Sequence, residues 1–364
     1  MKKEIDIRNR DVAIDGLKGI ACLAVAFCWH YQHFGAFQNP PFKMVLWPFY
    51  KWGGCAVELF FMISGLMMSR IYDSRIWNAE MSFQHYFSRR IIKLWPIQLV
   101  TLMIVLVEEL FFFKNNSYYF VVSNFDLYHF VLNVLMLQSG WFENSYSFNT
   151  PAWFVSTLLL MYIAFYIVCS IEKRINKRND VNILIIPLIL SLCGVASVLF
   201  KLEVPFFHYM FAARGFSCFF IGVVINRLAN QDRKNQAICI GIDVLLIVII
   251  IALRKFLSIN LMQLICMLIG FPTLIYLCIV LKLFKNALAW APIQWLANYS
   301  MEIFMIHFPV QIIIALVVSQ TDLHPYEKPT FFALYIITVL LSAYVLKQLI
   351  EYLTALLLKQ VKAV

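Results

Sequence analysis

The chain has 364 residues, of which 62% are hydrophobic and only 14% charged. A soluble protein of that length leaves roughly a quarter of its chain surface in water and carries about twice that share of charge, so a soluble fold is excluded. The formal net charge of +10 is spread over short connectors between apolar runs, not gathered on one face, which argues against a nucleic-acid partner.

A hydrocarbon layer about 30 Å thick takes about 20 mostly apolar residues as a helix. Runs of that kind place helices near 12–34, 45–69, 90–113, 151–171, 181–200, 205–226, 237–257, 261–283, 298–319 and 330–357. The expected architecture is an all-α integral membrane bundle of about ten transmembrane helices, one domain over residues 1–364. The first run ends in CWHYQHFG, without the small residues of a signal-peptidase site, and is expected to stay as the first span. After the second run, residues 70–89 mix charge with aromatics and suit an interfacial connector. Residues 114–150 are the longest connector on the opposite side. Within them DLYHFVLNVLML has the spacing of a short amphipathic helix lying on, or dipping into, the outer leaflet. With the N-terminus in the cytoplasm, 22 Lys and Arg fall in cytoplasmic segments, seven on the other side, and Arg214 within a span. That asymmetry predicts both termini inside. The nine cysteines are odd in number, lack a CxxC pair and sit almost all in apolar runs. They read as small buried hydrophobes, and no metal site is expected.

Ionisable groups at helix depth cost roughly 3 kcal/mol or more each, so function is sought there first. His30 lies about 18 Å along the first helix from Lys18, past the midplane, where a neutral imidazole can serve as general base. A histidine hydrogen-bonded to a neighbouring helix reads equally well, and His33 is one turn away. Glu58, in GGCAVELFFMISG, is expected to pair with His30, Lys18 or Arg214, or to orient the histidine. The small pairs Gly53–Gly54 and Ser64–Gly65 allow close helix contact. Glu108, Glu109 and Asp243 lie near helix ends and are read as reaching water. In SRRIIKLWP, Arg89, Arg90 and Lys93 stand at a cytoplasmic helix entrance, as a topology anchor or as a phosphate-binding cluster. Glu302 and His307, in NYSMEIFMIHFPV, are about 140° apart around their helix and need not face each other.

Five segments in order resemble the acyltransferase-three family of membrane O-acyltransferases. IDGLKGIACLAVAFCWHYQHF is similar to its opening helix, ELFFMISGLMMS to its FFxxSGF segment and FSRRIIKLWP to its RRxxRxxP segment. TPAWFVSTLLLMYIAFY is similar to its PxWFLS segment and WLANYSMEIFMIHFPV to its late SYSxYLxHxP segment. The resemblance implies acyl-CoA, commonly acetyl-CoA, as donor on the cytoplasmic side. It implies a hydroxyl of a glycan or lipid-linked sugar as acceptor, and a multi-pass place in a bacterial inner or plasma membrane. On this view His30 is the catalytic base, with Lys18 and Glu58 supporting it. Arg89, Arg90, Lys93, Ser64 and Gly65 face the donor, and His33, Trp153, Arg214, Glu302 and His307 face the acceptor. Membrane lipid is the other expected partner, and a homo-oligomer is compatible with the pattern. The chain departs from the family in three places. Eleven residues separate Lys18 from His30 where the family has ten, Lys93 stands for an Arg, and Leu66 stands for an aromatic. The extra residue turns His30 by about 100° on a regular helix unless a bulge absorbs it, which leaves His33 as a competing base. Glu302, where the family often has Ser, is expected to pair with Arg214 or to mark an altered acceptor site. A secondary transporter or flippase for an envelope precursor is the competing reading, although the inverted repeats of many transporters do not show.

Overall fold

The computed structural model describes residues 11–35, 39–121, 124–143, 145–175, 182–229, 236–253, 256, 258–321 and 325–363. Every expected span overlaps a helix, because lipid offers no partner for backbone polar groups and each span must satisfy its own. In chain order these are α1 (Val12–Phe34), α2 (Lys43–Trp77), α3 (Phe83–Asn116), α4 (Leu127–Val134), α5 (Thr150–Arg174), α6 (Asn182–Phe200), α7 (Ala212–Ala229), α8 (Gln236–Leu253), α9 (Ile259–Val280), α10 (Lys282–Leu288), α11 (Ala291–Asn298), α12 (Ser300–Ser319) and α13 (Pro329–Ala363). Among the described residues, eight are long and apolar enough to cross a membrane; α7 and α8 stand where the other two spans were expected.

α1 is not a uniform helix. Asp11 caps its start by accepting from the backbone N–H groups of Ala13 and Ile14. It is α-helical over Val12–Cys22, π-helical over Leu23–Trp29 and 3₁₀ over His30–Phe34, and it ends at Gly35 with φ +82°. A π-turn closes i→i+5 bonds and so takes up one residue more than an α-turn. The additional residue between Lys18 and His30 is absorbed there.

α2 and α7 cross closely. A Cβ at Gly65 would lie 1.8 Å from the Phe219 carbonyl oxygen, and one at Gly222 would lie 1.9 Å from that of Met62. Only glycine fits at either place, so Gly65 serves the packing of α2 against α7. Residues 70–89 form no separate interfacial element: α2 continues through Trp77 and α3 begins at Phe83, with Ser82 as its cap.

The 114–150 connector, expected to lie on or dip into the outer leaflet, packs in against α3 and α12. Partway along α3, the indole N–H of Trp95 donates to the Val134 carbonyl (3.0 Å) and Gln98 to that of Asn133 (3.2 Å). Gln138 donates to the Ala152 carbonyl and Asn149 to that of Met305 on α12. Irregular backbone at this depth is tolerated because protein side chains satisfy it. Glu108 and Glu109 are buried rather than open to water, Glu109 accepting from the Phe120 backbone N–H at 3.0 Å. The Asp243 side chain lies outside the described residues.

Candidate active site

The π-turn and the 3₁₀ end of α1 bring His30 and His33 against α12. His30 Nδ1 lies 2.6 Å from His307 Nε2, and the two rings stack 4.8 Å apart. His33 also stacks against His30, at 5.0 Å. The protons can be assigned from the acceptors around them. His307 Nδ1 faces the Ile303 carbonyl at 3.2 Å, so it carries the proton, and its Nε2 accepts from His30 Nδ1–H. His30 therefore presents an Nε2 lone pair.

Gln311, one turn after His307, completes the mount. Its amide N–H donates to the His30 carbonyl (2.8 Å) and to Tyr335 Oη (3.3 Å), which fixes its Oε1 toward His33 Nδ1 at 3.2 Å. Tyr335 in turn donates to the Ala26 carbonyl at 2.8 Å. His33 thus also carries its proton on Nδ1 and presents Nε2. Gln311 is fully buried and was not singled out in the sequence. A neutral amide carries no charge cost to draw attention; its signal was its place one helical turn beyond His307.

Both histidines line a cavity of about 640 Å³, a size that suits a small-molecule site. Its walls include Trp29, Tyr146, Thr150, Trp153, Lys201, Tyr209, Arg214, Asn260 and Gln263. Behind the wall, Glu58 is 0% exposed and its Oε1 accepts from Arg214 Nε and Gln263 Nε2, both at 2.5 Å. Its Oε2 is buried with no partner among the described residues. The Arg214 guanidinium lies 5.0 Å from the Trp153 ring centre. Glu58 is therefore held by Arg214 and Gln263 and bonds to neither histidine.

The remaining basic residues gather elsewhere. Lys18 pairs with Asp15 at 2.7 Å, far down α1 from His30, and does not touch the histidines. Lys93 stands in the field of Arg90, Lys18, Lys347 and Glu302. Glu302 accordingly faces Lys347 and Lys93 rather than Arg214. Arg90 lies over the Tyr72 and Tyr162 rings, at 4.8 and 5.7 Å, and donates to the Tyr72 hydroxyl. Ser64 lies beside Tyr162, and Arg89 is exposed.

A family model described as an acyltransferase domain, that of the acyltransferase-3 membrane O-acyltransferases, matches residues 11–348. The chain belongs to the acyltransferase-3 family. No curated protein and no solved structure matches it. Membership makes this multi-pass membrane protein an acyltransferase in general terms. The match runs from the cap of α1 through most of α13, so it takes in every residue described above.

Proposed function

We propose that this acyltransferase-3 protein moves an acyl group, commonly acetyl, from cytoplasmic acyl-CoA to a hydroxyl of a cell-surface glycan or lipid-linked sugar. The observation that carries the reading is His30, held in one tautomer by His307 and facing a cavity with Nε2 unprotonated. An acceptor hydroxyl placed at Nε2 gives up its proton as its oxygen bonds to the thioester carbonyl carbon. The carbon–sulfur bond then breaks, and the thiolate takes the proton back from Nε2. Between those moments the imidazolium shares its charge through Nδ1–H with His307.

The donor approach is assigned to the opposite end of α1. There Lys18, Lys93, Lys347 and Arg90 offer positive charge to the phosphates of a nucleotide. A pantetheine arm, being narrow, reaches along the bundle while the nucleotide stays in water. On the acceptor side the aromatic faces of Trp29 and Trp153, with Asn260, Gln263 and Thr150, suit a hydroxylated ring.

The test uses the purified full chain in lipid discs with radiolabelled acetyl-CoA and glycan extracted from the membranes that make it. His30→Ala is expected to lower label transfer by about 10²–10⁴-fold while the protein elutes as the wild type does. Transfer retained by that variant removes His30 from the mechanism.

A further inference from the structure

A second hydrogen-bonded group of serine, histidine and aspartate lies in the re-entrant segment, apart from the histidine pair. We propose that Ser145, His129 and Asp126 form a second acyl-transfer centre, in which Ser145 takes acyl groups from small esters or thioesters. His129 Nδ1 lies 2.7 Å from Asp126 Oδ2, and Ser145 Oγ lies 3.5 Å from His129 Nε2. The carboxylate holds the Nδ1–H tautomer, which leaves the Nε2 lone pair for the serine hydroxyl. Nucleophile, base and orienting acid therefore stand in the order that activates a serine. The serine contact is longer than an ideal bond, as such contacts often are before substrate tightens them.

Asp126 also caps α4, but with its other oxygen: Oδ1 accepts from the His129 backbone N–H at 2.9 Å. Both bonds fix the carboxylate, which is itself 55% exposed at the side chain. The backbone N–H and imidazole of His129 hold its carboxyl below the usual carboxylate range. The serine is held too. Ser139 Oγ donates to the Ser145 carbonyl (3.0 Å) and Asn124 to that of Tyr146 (3.1 Å). Tyr146 lines the His30 cavity, so the two centres are neighbours.

In the first step Ser145 Oγ bonds to the acyl carbon and its proton passes to His129 Nε2. The bond from carbon to the leaving oxygen or sulfur breaks, and the leaving group takes that proton. In the second step water or an alcohol gives its proton to Nε2 and bonds to the acyl carbon. The bond to Oγ breaks, and Ser145 recovers its hydrogen.

A fluorophosphonate probe applied to the full chain in lipid discs tests this, with the adduct located by peptide mass spectrometry. Labelling of Ser145 is expected, with loss in Ser145→Ala and a rate about 10²-fold lower in His129→Gln. Asp126→Asn is the decisive variant, since asparagine keeps the cap but removes the charge that orients the imidazole. It is expected to slow labelling by a similar factor without changing the melting temperature. No adduct on Ser145 in the wild type, or equal labelling rates in Asp126→Asn and wild type, overturns the proposal. The readout needs neither acyl-CoA nor His30, so its failure leaves the membrane-embedded reaction untouched.

Discussion

Two arginines on α7 show how differently one kind of buried charge can be used. Arg227 is saturated. Its Nε and Nη2 donate to Asp73 at 3.1 and 3.0 Å, its Nη1 and Nη2 to Glu172 at 2.9 and 3.0 Å, and Nη1 also donates to the Ile183 carbonyl. Asp73, Cys169 and Glu172 have the closeness of a metal site, but the guanidinium lies among them. Arg214, by contrast, shares a single carboxylate oxygen with Gln263, lies over Trp153 and borders a cavity. Its partner Glu58 keeps one oxygen unbonded among the described residues. Burial of a charge alone therefore does not tell the two arginines apart; the cavity beside Arg214 does, and it is why Arg214 belongs to the proposed acceptor site.

Substitutions sharpen that contrast. Arg227→Met leaves two buried carboxylates unpaired, at a cost of about 3–5 kcal/mol, and loss of the monodisperse peak in size-exclusion chromatography is expected. Replacing Asp73 and Glu172 by Leu as well restores the peak and leaves acyl transfer intact, if the cluster is purely structural. The parallel replacement of Arg214 by Met and Glu58 by Leu is expected to fold but to lose about 10²-fold or more in transfer, the scale of a lost positioning donor. If it transfers at the wild-type rate, the comparison fails.

Smaller effects test the mount of the base. His307→Phe keeps a ring in the stack but gives His30 Nδ1–H no acceptor. Transfer is expected to fall about 10- to 100-fold, or about 1.4–2.7 kcal/mol in the barrier. Unchanged turnover in a single-turnover assay removes His307 from the mechanism. Least of all, deletion of Leu23 turns the π-turn into an α-turn and leaves His30 facing α12, with transfer within about threefold of wild type. Insertion of one Ala after Leu23 instead turns His30 by about 100° and abolishes transfer. Equal activities in the two would show that the π-turn does not set the phase.

The spans were legible because lipid makes length and hydropathy sufficient to place a helix. The histidines were legible one at a time, as polar groups at depth. Which group bonds to which was not. Glu58 had three candidate partners in the sequence and takes Arg214, 156 positions away, together with Gln263. Glu302 was expected to pair with Arg214 or to mark an altered acceptor site, and it faces Lys93 and Lys347. Residues 114–150 read as lying on or dipping into the outer leaflet, and their apolar spacing did not report that Trp95 and Gln98 reach out to their carbonyls.

By itself, then, the amino-acid order determined that this protein is a helical membrane bundle and where its long apolar helices run, since each span satisfies its own backbone whatever surrounds it. Tertiary structure alone decided the tautomer of His30, the partner of each buried charge and the depth of the re-entrant segment. Those depend on how each helix is rotated against its neighbours, and that rotation is set by close contacts such as Gly65 on Phe219 and Gly222 on Met62.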